Sequence, residues 1–229
     1  ALGNVEFLAS RSFSNNASTT DFLVTTGTVT APTLLTIAGT FTQSGTFTST
    51  GNTLYLTGSG KTHTGTMIGA SNTLNNVVLA GGGTTVLPNA STTALTINSG
   101  STLSDPSLLS ISGDYANSGD FTDNSGTVYF SGAGQTIAGT MNTASTDFAN
   151  IEFLGSGTKT ISNNASTTGA FVIPSGITVS APSSGFLSIG GAYTQSGSFT
   201  DNGSTIILDG TNQTVSGTMN TAATDFGNV

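Results

Sequence analysis

What most limits the fold of this chain is a tandem repeat of about 75 residues. Leu2-Gly3-Asn4-Val5 returns as Leu74–Val77 and Phe148–Ile151, and again as Phe226–Val229 at the end of the chain. Asn4, Asn76, Asn150 and Asn228 stand 72, 74 and 78 residues apart, which divides the chain into three repeats, 4–75, 76–149 and 150–227. Asn15–Thr20 reappears at Pro88–Thr93 and Asn163–Thr168, and a Gly-Thr-Met begins at Gly65, Gly139 and Gly217. Ser44, Ser118 and Ser196 each precede the next repeat's Asn by 32 residues, so the length differences fall in the first half of each repeat.

Within a repeat the apolar residues alternate with period two, the mark of strands with one buried face. Val5 and Phe7 share a face, as do Val77 with Leu79 and Ile151 with Phe153. A second set is Leu35 and Ile37, Leu109 and Ile111, Leu187 and Ile189. A third is Leu54 and Leu56, Val128 and Phe130, Ile206 and Leu208. Gly, Ser-Gly and Asn separate these segments, and Pro32, Pro106 and Pro182 occupy one equivalent site. Proline has no N–H for a sheet ladder and belongs at a corner. No useful length carries apolar residues at helical spacing, so the chain reads as all-β.

Two architectures suit such a repeat: a row of β-sandwich domains, or one parallel β-solenoid. Sandwiches need a private core and a linker per repeat, and no linker is visible. A continuous solenoid across residues 1–229 is therefore expected, open at both ends. Equivalent apolar residues should stack into columns running through all three repeats. A coil of about 25 residues would put about three coils in each repeat, and with strands about 4.8 Å apart the rod would be roughly 45 Å long.

Composition narrows the function. Lys and Arg total 3 against 11 Asp and Glu, a net charge of −8. A nucleic-acid partner is excluded, because its phosphates need cationic side chains. Membrane insertion is not expected, because no apolar run approaches the roughly 20 residues of a span. With no Cys and a single His, zinc sites and Ser-His-Asp triads have almost no material. His63 is equivalent to Ile137 and Val215 and reads as a core or rim residue. Arg11 and Lys159 share a site, Lys61 stands alone, and Asp123 with Asp201 and Asp147 with Asp225 are pairs one repeat apart, about 15 Å, too far for acid/base work. No enzymatic role or cofactor is expected; the one metal these side chains suit is calcium, weakly held by neighbouring Asp and Asn oxygens. Asn16, Asn89 and Asn164 match a glycosylation acceptor but read more simply as turn residues. Thr-x-Thr strands suit an ice-binding hydroxyl array, yet the equivalents of Thr46 are Asp120 and Ser198, so no such array is expected.

The stretches Ser44–Gly60 (SGTFTSTGNTLYLTGSG) and Asp123–Thr140 (DNSGTVYFSGAGQTIAGT) resemble the tandem repeats of bacterial surface and secreted β-solenoid proteins, such as filamentous-haemagglutinin-like adhesins and autotransporter passengers. The resemblance implies a right-handed parallel β-helix, an extracellular or cell-surface address, and a structural or adhesive role. Leu2, Asn4 and Val5 occupy the same register as Phe226, Asn228 and Val229, which predicts a head-to-tail junction and a filament of the chain with itself, in one long array or by stacking. Tyr55, Tyr129 and Ile207 alternate out of phase with the core and offer a lateral contact stripe. An adhesin holding a glycan or host surface on its loops is the alternative.

Overall fold

Strands here are short because turn residues interrupt them every few positions, and the chain meets its interrupted segments by coiling. The computed structural model describes residues 1–219 and Phe226. Its first turn comprises Val5–Phe7, Arg11–Ser12 and Ala17–Thr19. On these lie, in the same direction, Phe22–Val24, Thr28–Thr30 and Leu34–Ile37. Phe41–Gln43, Thr46–Thr48 and Thr53–Leu56 follow in the third turn. Three stacks of strands thus define three faces, here named a, b and c in that order.

The molecule is a parallel β-solenoid of about 11 turns, roughly 19 residues each. Turns are shorter than the expected 25 residues because each side is a strand of about three or four residues and the corners are brief. At about 4.8 Å per turn the rod is about 53 Å long.

Turn and repeat do not divide evenly. About 11 turns shared by three repeats gives close to three and two-thirds turns per repeat. Each repeat therefore begins one face away from its predecessor. Val5 lies on face a, Val77 pairs with Leu54 on face c, and Ile151 pairs with Val128 on face b. This corrects the expectation that equivalent residues stack on one another. The inward column of face c runs Ala17, Leu35, Leu54, Val77, Leu95, Tyr115, Ile137, and these occupy unlike places in the repeat.

Even so, the spine is unbroken. One buried cluster extends from Phe22 to Ile206 across all three repeats. Phe130, Phe153, Phe171 and Tyr193 continue it ring to ring at 5.2–6.0 Å from the second repeat into the third. The expected core residues all point inward; of them only Val5, Phe7 and Leu208 are half-buried rather than buried, on the first and last described turns. Each fully buried Leu, Ile or Phe contributes about 1.5–3 kcal/mol over its exposed state. The three prolines sit at corners, between a strand of one face and a strand of the next.

Candidate functional site

The corners carry the side-chain chemistry, because there the backbone leaves the ladder and needs other partners. Asn16, Asn89 and Asn164 each accept, through Oδ1, the N–H of a residue one turn on: Leu34, Leu108 and Phe186, all at 3.0 Å. Asp21 accepts the N–H of Thr40 at 2.7 Å and its hydroxyl at 3.0 Å, and these bonds hold its carboxyl below the usual range. Asp114 accepts the N–H of Thr136 at 2.7 Å.

Other polar side chains turn into the rod. Gln135 folds under its own corner, accepting the Gly132 N–H at 2.8 Å and donating to Ile111 O at 2.9 Å. One turn on, Lys159 is fully buried and its Nζ donates to Ser156 O at 2.9 Å and to Gly132 O. Burial lowers its pKa. Its equivalent Arg11 lies exposed, and the two cations share no groove. His63 is 2% exposed; its Nδ1 accepts the Phe41 N–H at 2.9 Å, while Nε2 has no partner. Desolvation pushes its pKa down to about 4. The ring is neutral and built into the wall.

The carboxylates are arranged differently from the sequence pairing. Rotation of the repeats places Asp123 and Asp201 at different corners, whereas Asp105, Asp123 and Asp147 follow one another on the corner between faces a and b. Asp105 N–H donates to Thr122 O, and Phe121 N–H donates to Ser145 O, which sets the three turns in order. Asp225 lies outside the described residues. Asp105 drew no notice in the sequence, although Ala31 and Ala181 hold its place in the other repeats. Among the described residues no three His, Asp or Glu side chains are placed to hold one metal ion.

Outside the rod, Tyr55 lies between Thr36 and Val78, Tyr129 between Ser110 and Glu152, and Ile207 beside Ser188. They occupy faces c, b and a and form no stripe. Rotation also alters the Thr ladders: Thr46 and Thr48 stack on Thr28 and Thr30, not on Asp120. In the second repeat Thr102 does stack on Asp120, but face c carries a longer hydroxyl array than the sequence led one to expect: Thr136, Thr160, Ser180 and Thr200 form one column, with Thr158, Thr178 and Ser198 beside it. At the expected junction, Leu2 is exposed and bridges Thr19, and Phe226 packs on Tyr193 at 5.2 Å and Phe199 at 5.8 Å. Asn228 and Val229 lie outside the described residues. No family model, curated protein or solved structure matches the chain.

Proposed function

We propose that the chain is a length of an extracellular structural fibre, a non-enzymatic β-solenoid extended head to tail by further repeats in one polypeptide or by stacked copies. One observation carries this reading. Three repeats complete about 11 turns, so the strand type that lies on face a in the first turn is due on face a again after the last. Inside the molecule, Thr53–Leu56 is followed on its face by Leu74–Leu79, and Thr127–Phe130 by Asn150–Phe153. Thr205–Leu208, the third strand of this type, lies on face a. The strand that fits above it is the one that opens each repeat, with the sequence of Val5–Phe7.

Chemistry supports the same role. Charged residues make up only 6% of the chain, so stacked turns meet little like-charge repulsion. Electron microscopy of native material, or of chains carrying six repeats, tests the reading. Unbranched rods with an axial period near 53 Å are expected from 11 turns of about 4.8 Å. Compact particles of one size from native material would overturn it. A surface-binding role is the second reading, favoured by a long corner in each of the first two repeats, exposed at Gly69–Ser71 and Thr143–Ser145. Glycan binding lost on shortening those corners would favour it.

A further inference from the structure

Asp105 is the least expected residue in the molecule. It is 4% exposed, and neither carboxyl oxygen has a hydrogen-bond partner. The next turn closes over it: a Cβ built on Gly126 would come within 2.4 Å of Asp105 Oδ2. The hydroxyl of Tyr115, 1% exposed, is likewise without a partner.

The other repeats show how this corner is otherwise filled. Where the second repeat has Asp105 under Gly126, the first has Ala31 under Asn52 and the third has Ala181 under Ser204. Asn52 and Ser204 are buried, and both are hydrogen-bonded: Asn52 Oδ1 accepts from Ser49 Oγ, and Ser204 Oγ donates to Pro182 O. A small residue below is thus matched by a polar one above, and the carboxyl below by a glycine above. The fold has two neutral solutions for this corner, of which the serine one is satisfied and the asparagine one leaves Nδ2 without a partner, and uses a third that leaves two acceptor oxygens bare.

Bare buried acceptors call for a donor, and the ionisable groups facing Asp105 do not supply a positive one. They are Asp123 on the next turn and Tyr115 across the core, with Asp147 facing Asp123 from the turn beyond. Asp123 is already engaged, Oδ1 by the Ser125 N–H at 2.6 Å and Oδ2 by the Thr168 hydroxyl at 2.8 Å. Both Asp123 oxygens thus already accept a hydrogen bond, and neither offers Asp105 a donor.

We infer that the corner formed by Asp105, Asp123 and Asp147 is a proton-binding site: the folded rod takes up one proton from solvent at Asp105, and release of that proton weakens the packing of the turns there. Burial, and then the charge of Asp123, push the Asp105 carboxyl up to about 7. The proton is thus exchanged close to neutral pH. A rod built this way is held more firmly in mildly acidic surroundings than in alkaline ones at this corner.

The test compares the full chain with Asp105→Asn, which is nearly isosteric and cannot ionise, by thermal melting from pH 4 to pH 9. Relative to the variant, the unsubstituted chain is expected to lose melting temperature steadily from about pH 4 to pH 7 and no further above it. Carbon-detected NMR of the carboxyl groups should show Asp105 titrating near pH 7, and lower, though still above the usual carboxylate range because the burial remains, once Asp123→Asn removes the facing charge. Asp105→Ala, which gives this corner the residue of the first and third repeats and leaves Gly126 in place against the Pro106 carbonyl, should fold without the pH-dependent loss. A melting difference that does not change with pH, or an Asp105 carboxyl titrating near 4, would overturn the inference. So would calcium chloride raising the melting temperature of the unsubstituted chain at pH 8 and not that of Asp105→Asn, since the site would then take a cation in place of a proton.

Discussion

The buried His63 ring must stay uncharged, because its Nδ1 lone pair is occupied by the Phe41 N–H and its surroundings are dry. Its folded pKa is about 4 against the 6.5 of an ordinary imidazole, so unfolded chains bind a proton there before folded ones do. Its contribution is complete above pH 6.5 and is lost as pH falls to about 4, on the order of 3 kcal/mol in all. Asp105 has the opposite sign: the folded chain keeps its proton up to about pH 7, the unfolded chain loses it near 3.8, and stability falls as pH rises between them. The two windows overlap and nearly cancel. Urea titrations of the unsubstituted chain should therefore be almost flat from pH 4 to 6.5, whereas His63→Ile, the residue of the second repeat, should leave a stability that declines with pH. Gly139 is a separate case. Its φ is 110°, and a Cβ there would lie 1.9 Å from Asn117 O. Gly65 and Gly217 are placed alike over Gln43 and Gln195, which explains the recurring Gly-Thr-Met. Gly139→Ala should cost about 2 kcal/mol or more, measured by the same urea titrations.

At the scale of the strand and corner, the alternation of Leu109 with Ser110 and of Val128 with Tyr129 needed nothing beyond the sequence to be read, because period two follows from the pleat itself. The Asn-Ala-Ser corners were also legible, as turns. Their partners were not: Asn89 meets Leu108 only because the chain takes 19 residues to come round. Asn89→Ala strips the Leu108 N–H of its acceptor and should cost about 1 kcal/mol, while Asn89→Asp retains an oxygen and most of the stability. Thermal melts of the two variants at pH 7 distinguish them, and equal losses would show that the amide oxygen does not hold the corner.

For the whole molecule, each turn touches chiefly the turns beside it, so stability is close to a sum over neighbours. Removing 76–149 would bring the third repeat directly after the first. Asn150–Phe153 would then follow Thr53–Leu56, a strand of the same type as the Thr127–Phe130 it follows now. The shortened chain should fold, with a rod about 35 Å long at about 4.8 Å per turn and a melting temperature within a few degrees of the full chain. Small-angle scattering gives the length. Removal of half a repeat joins strands that do not match, and should leave an open, aggregating seam.

Period-two alternation and turn residues by themselves determined that the chain is all-β and that its three copies share one core, since no linker interrupts the pattern. Only the tertiary structure decided which residues meet. The number of residues in a turn depends on how tightly three strands and three corners close around real side chains, and no single repeat records it. That number, set against the repeat length, turns each copy by one face. It separates Tyr55 from Tyr129, brings Asp105 beside Asp123, and sets unlike residues on top of one another throughout the spine.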